Sequence, residues 1–114
     1  MSNIEVEHGN KDSIGTNAEN GDINAQYELA LLYQKGGGLE KDLEKAIYWY
    51  QKAAENKCIE AQNNLAKLYY KGEEIEKNLE KAFYWCQKAA ENGSNKAQII
   101  LHHYIIKVKE QKRI

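Results

Sequence analysis

The sequence predicts an all-α fold, an α-solenoid of antiparallel helical hairpins, and three observations predict it. The chain has 114 residues with no proline, and lysine, glutamate and alanine dominate, a composition suited to helices. Ala25–Glu60 aligns without a gap on Ala61–Lys96, and 22 of the 36 positions are identical. Within each repeat the apolar residues fall on two helical arcs separated by glycine. One hairpin cannot bury its apolar face alone, so hairpins of this kind stack to share a core. The length suits one domain and leaves no room for a cofactor domain beside a substrate domain.

Residues 1–17 are polar and aperiodic, and read as a flexible N-terminal arm. Ala18-Glu19-Asn20-Gly21 echoes Ala54-Glu55-Asn56 and Ala90-Glu91-Asn92-Gly93, so 18–24 is the remnant of a preceding repeat. Repeat one spans 25–60. Its first helix, about Ala25 to Lys35, gathers Ala25, Leu29, Leu32 and Tyr33 on one arc, with Ala30 at the edge. Gly36 ends it, because glycine takes the left-handed C-terminal conformation without a Cβ clash. Asp42 is placed to cap the second helix, about Leu43 to Glu55, and Asn78 to cap its counterpart. Leu43, Ala46, Ile47, Trp49, Tyr50, Ala53 and Ala54 cover an arc wide enough to face more than one neighbour. Repeat two spans 61–96. In the half repeat 97–114, Val108 stands where Gly36 and Gly72 stood, so the helix runs on as a C-terminal cap with a basic end.

Sixteen basic and seventeen acidic residues leave a net charge of −1, so no overall field draws the chain to nucleic acid or anionic lipid. The longest mostly apolar stretch, Ile99–Ile106, is broken by His102 and His103 and falls far short of the roughly 20 residues of a membrane span. The first residues lack the apolar block of a secretion signal, which points to the cytoplasm and to Cys58 and Cys86 as free thiols. Neither cysteine has a histidine nearby in sequence to act as base. Adjacent His102 and His103 diverge by about 100° on a helix and cannot grip one metal together. Lys35-Gly36-Gly37-Gly38 ends a helix, whereas a phosphate loop begins one with Gly-Lys-Ser/Thr. Glu73, Glu74 and Glu76 read as a solvated acidic turn. The expectation is a non-enzyme without cofactor or metal.

Ala25, Leu29, Ala30, Tyr33, Gly36, Gly38, Leu39, Asp42, Lys45, Ala46, Trp49, Tyr50, Lys52, Ala53 and Ala54 form a pattern. It recurs as Ala61, Leu65, Ala66, Tyr69, Gly72, Ile75, Asn78, Lys81, Ala82, Trp85, Lys88, Ala89 and Ala90, closing on Gly93. This pattern resembles the Sel-one-like repeat (SLR), a relative of the tetratricopeptide repeat, over roughly Ala18 to Ile106. Glu74 in place of the second loop glycine and Cys86 in place of Tyr50 are its departures. The resemblance implies a right-handed superhelix whose first helices line the concave side, and a scaffold or adaptor role with no catalytic residues.

The differing positions are uneven. Tyr27/Asn63, Glu28/Asn64, Leu31/Lys67 and Gln34/Tyr70 lie opposite the core arc of the first helix. On the second helix Glu44, Lys45, Tyr48, Gln51, Lys52 and Glu55 recur unchanged as Glu80, Lys81, Tyr84, Gln87, Lys88 and Glu91. The diverged face coincides with the concave side, which makes Tyr27, Glu28, Leu31, Gln34, Lys35, Asn63, Asn64, Lys67, Tyr70, Lys71, Ile99, His103 and Lys107 the candidate partner contacts. Drift after duplication explains the same divergence and stays open. The lysines favour an acidic or carboxylate-ended peptide or protein segment. Two alternatives remain. One is a homo-oligomer, a weak dimer through the C-terminal helix where Ile99, Ile100 and Ile106 are apolar. The other is a single-stranded RNA solenoid, disfavoured because two repeats read too few bases.

Overall fold

A computed structural model describes residues 13–112, all helix and connection with no strand among them. Helix α1 covers 13–19; α2 is Ile23–Lys35, α3 Leu43–Glu55, α4 Ile59–Lys71, α5 Leu79–Glu91 and α6 Asn95–Lys112. The chain divides into two compact units between Cys58 and Ile59.

In the first unit, α2 starts two residues ahead of the expected Ala25 because Asp22 caps it, its Oδ1 accepting from the Ala25 N–H at 3.0 Å. Gly36 ends α2 in the left-handed conformation, φ 75°, its N–H donating to the Leu32 carbonyl at 2.8 Å. The Asp42 N–H then bonds the Tyr33 carbonyl at 2.9 Å, folding the loop back so that the Asp42 side chain can accept from Lys45 N–H at 3.1 Å. Those two bonds set the hairpin. Ala46, Tyr50, Ala53 and Ala54 of α3 are buried, as are Ala25, Leu29 and Ala30 of α2, so the small residues allow close approach and Tyr50 fills the remaining volume.

The arm expected over 1–17 is contradicted in its last residues. Residues 1–12 lie outside the described residues, but 13–17 already belong to α1, and Ile14 packs with Ala18, Ala25 and Leu29. One isoleucine among polar residues gives too weak a periodicity to reveal a helix; the tertiary contact holds it.

The second unit repeats the plan. Gly72 closes α4 at φ 66°, the Asn78 N–H reaches the Tyr69 carbonyl at 3.0 Å, and Asn78 Oδ1 caps α5 through Lys81 N–H at 3.0 Å. α6 is started by Ser94, whose hydroxyl accepts from Ala97 N–H at 3.1 Å. It runs 18 residues, past the point where α2 and α4 stop. No helix among the described residues is long and apolar enough to cross a membrane.

Candidate functional site

In the first unit the candidates do not form one free face. Glu28 and Lys35 are exposed, and Leu31 is half-buried. Tyr27 and Gln34 instead converge on Tyr50 of α3: the rings of Tyr27 and Tyr50 lie 6.1 Å apart at 50°, and the Tyr50 hydroxyl donates to Gln34 Oε1. All three positions change together in the next repeat, to Asn63, Cys86 and Tyr70. Part of the divergence that sequence attributes to a ligand is therefore internal repacking around one core position.

In the second unit, Asn63 accepts a hydrogen bond from the Ser94 hydroxyl at 3.1 Å, which ties α4 to the start of α6. Asn64 is half-buried, and Lys67, Lys71, Ile99, His103 and Lys107 are exposed. Tyr70 turns toward α6. It borders a small void shared with Cys86, Phe83, Ile100 and Tyr104, about 10 Å3, room for one water-sized sphere. It also borders a larger cavity of about 260 Å3 that Lys107 lines from the opposite wall. The structure thus brings together Tyr70 and Lys107 of the predicted set. Lys77, Leu79, Tyr104, Val108 and Gln111 complete that cavity and escaped sequence reasoning. The one sequence signal was Val108 in place of the terminating glycine.

Chemically the described residues offer binding groups. Cys58 and Cys86 are thiols, not joined in a disulfide. Burial pushes the Cys86 thiol up, and its Sγ lies 3.1 Å from the Ala97 carbonyl oxygen, so it is a packed thiol donor rather than a nucleophile. His102 and His103 are exposed. No group of three metal-ligating side chains occurs among the described residues.

A model of the Sel1 repeat matches two consecutive segments, 23–58 and 59–94. The chain belongs to the Sel1 repeat family. The matched segments begin at Ile23 and Ile59, the first residues of α2 and α4, two residues ahead of the 25–60 and 61–96 phase. A Sel1 repeat protein from Oxalobacter formigenes is similar in structure, with a TM-score of 0.77 and 35% identity over 84% of this chain and 72% of that one. An SLR-fold protective antigen of uropathogenic Escherichia coli strains is similar at a TM-score of 0.73 and 37% identity over 82% of this chain. This chain spans 20% of that antigen. No curated protein matches. The Sel1 repeat fold is an all-α helical-repeat solenoid, typically non-catalytic, and Sel1 repeats generally serve as protein-interaction scaffolds.

The repeat also accounts for the side chains that did not diverge. Lys45 and Lys81 lie over the rings of Tyr33 and Tyr69, 5.5 and 5.3 Å from the centroids. Lys52 and Lys88 lie over Tyr48 and Tyr84 at 5.5 and 5.6 Å. Tyr48 meets Trp49 edge-on at 5.0 Å, and Tyr84 meets Trp85 at 4.9 Å. These recurring lysines belong to a Sel1 aromatic scaffold, which explains their constancy without a ligand.

Proposed function

We propose that the chain is a non-catalytic interaction module that holds a peptide or protein segment on diverged first-helix faces, that of α2 in the first unit and those of α4 and α6 in the second. The observation that carries this reading is the contrast between lysines. Those of the second helices, Lys45, Lys52, Lys81 and Lys88, are stacked over tyrosines. All eight are exposed, but Lys35, Lys67, Lys71 and Lys107, on first helices, are not among the lysines that lie over rings in the described residues. Ammonium groups in solvent remain available to a partner and favour one that is acidic or carboxylate-ended. Asn64 and His103 add polar contacts beside them, and Leu31 and Ile99 apolar area.

The test is capture of partners by the immobilised full chain, compared between variants. Lys67→Glu with Lys71→Glu should lose the proteins that wild type retains, and Lys52→Glu with Lys88→Glu should keep them. The reverse pattern would move the surface to the second helices, and nuclease-sensitive capture would replace a protein partner by RNA.

Self-association through α6 is a second reading, favoured by one observation. The position filled by buried Tyr69 in α4 is taken in α6 by Ile105, which is 39% exposed, and Ile99 is 61% exposed. The helix presents apolar surface that its counterpart buries.

A further inference from the structure

α2 and α4 end at glycines, but α6 continues through Val108, and its added turns stand beside the 72–78 loop. Tyr104, Lys107, Val108 and Gln111 recur at three- and four-residue spacing and so form one stripe. Facing that stripe are Tyr70 from the end of α4, Lys77 from the loop and Leu79 from the start of α5, and together they line a cleft of about 260 Å3 that is open on one side to solvent. It lies wholly within the second unit.

Its walls are held from behind. The Tyr104 ring packs 4.8 Å from that of Phe83, while Lys77 Nζ lies 6.0 Å from the Tyr70 ring centroid, farther out than the 5.3 to 5.6 Å of the stacked lysines, so its ammonium is only loosely engaged. Its charge has one sign: of Glu73, Glu74, Glu76 and Lys77 only Lys77 lines it, and on α6 Lys107 does while Glu110 does not. Two ammonium groups with phenol and amide donors select an anion. Leu79 and Val108 require an apolar group beside that anion, which a bare phosphate or an Asp or Glu side chain cannot supply. A residue that carries both is an apolar C-terminal residue with its free α-carboxylate, and the volume suits a single residue of that kind.

We propose that this cavity receives the C-terminal residue of the partner, a compact apolar side chain bearing the chain's terminal carboxylate. The proposal rests on the interaction reading above and deepens it by fixing which end of a peptide binds. It assigns Lys77 and Lys107 to the carboxylate, and Leu79 and Val108 to the side chain.

The experiment titrates three peptides into the isotopically labelled full chain and follows its amide resonances. The probes are acetyl-Ser-Gly-Leu with a free carboxylate, the same peptide as its C-terminal amide, and acetyl-Ser-Gly-Glu amide, which carries only a side-chain carboxylate. The free-carboxylate peptide should shift the amides of Lys77, Leu79 and Tyr104 to Gln111, and the other two should bind at least about tenfold more weakly, the loss expected when a charge-assisted hydrogen bond is removed. Lys77→Gln and Lys107→Gln should each weaken binding about tenfold. Lys109→Gln, on the same helix but outside the cavity, should leave it unchanged. Equal binding of the amide, or no shift of these amides up to about 10 mM peptide, a Kd weaker than any useful recognition, overturns the proposal. If Lys67→Glu with Lys71→Glu still abolishes partner capture in that case, the cavity assignment alone has failed and the interaction reading stands.

Discussion

Gln26 donates its side-chain amide to the carbonyl oxygen of Ala18 at 3.0 Å, and 72 residues later Gln98 makes the same bond to Ala90 at 3.5 Å. In each case the first helix of a repeat is tied to the last turn of the helix before it. The Ala-Gln pairs in the first turn of α2 and α6, 25–26 and 97–98, therefore have a joint role. Alanine permits the approach, and glutamine reaches a carbonyl at the helix end. Gln62, at the same repeat position, accepts through its Oε1 from Asn92 Nδ2 at 3.2 Å.

The two bonds should differ in worth because Gln26 is buried and Gln98 is exposed. Gln26→Met keeps the volume and removes the donor, and should cost about 1 kcal/mol. A loss of that size lowers Tm by roughly 4–8 °C in a domain of this size. Gln98→Met should shift it by less than half as much. Thermal unfolding followed by circular dichroism checks both, and equal losses would show that burial does not set the value of this bond.

Gly36 and Gly72 end equivalent helices with similar backbone, φ 75° and 66°, yet they differ in surroundings. A Cβ on Gly72 would lie 2.6 Å from Lys77 Cβ and 3.1 Å from its Cα, whereas on Gly36 the nearest atom is 3.5 Å away. Both Gly→Ala changes carry the left-handed penalty of about 1–2 kcal/mol. Gly72→Ala must also displace backbone and should cost about 1–2 kcal/mol more. Denaturant midpoints of the two variants measure the difference, and equal midpoints would refute the close approach of Lys77.

Burial pushes the Cys86 thiol up, so the folded chain keeps that proton to a higher pH than the unfolded chain does. The stability linked to it is fully present below the ordinary thiol value near ~8.5, and is lost as pH rises through the raised value. Between about pH 8 and pH 9.5, Tm of the wild type should fall more steeply than that of Cys86→Ala. Parallel slopes would mean that the thiol environment is the same in both states.

Exposed Ile99 and Ile106 predict concentration-dependent association at tens of micromolar, roughly the strength of a small apolar interface. Sedimentation should show it in the wild type, and Ile99→Glu with Ile106→Glu should remain monomeric. A monomeric wild type at about millimolar concentration would assign this surface to a partner instead.

The helices were legible because their signals are local. Leu43–Glu55 and Leu79–Glu91 have the boundaries that Asp42, Asn78 and the apolar spacing indicate, since capping and periodicity act within a turn or two. Gly36 and Gly72 announced their own conformation. The family followed from the same residues, because a pattern repeated in register reports a packing that must recur. The helix at 13–19 was not legible, as what holds it is tertiary: Ile14 and Ala18 pack in a cluster with Ala25 and Leu29, and Gln26 bonds the Ala18 carbonyl.

By itself, then, the sequence determined the repeat period, the hairpin and the faces of each helix, because these depend on residues three, four and thirty-six positions apart. Tertiary structure alone decided which diverged residues are available. Tyr27 and Gln34 share a face with Glu28 and Leu31 in any helical projection, but the Tyr50 side chain from another helix engages both. Lys77 and Lys107 stand thirty residues apart on elements with no common period, yet both line one cavity, which the continued α6 completes with Val108 and Gln111. Helical periodicity specifies direction around one axis. Distance between axes, and hence which side chains share a cavity, is set by packing volume across them.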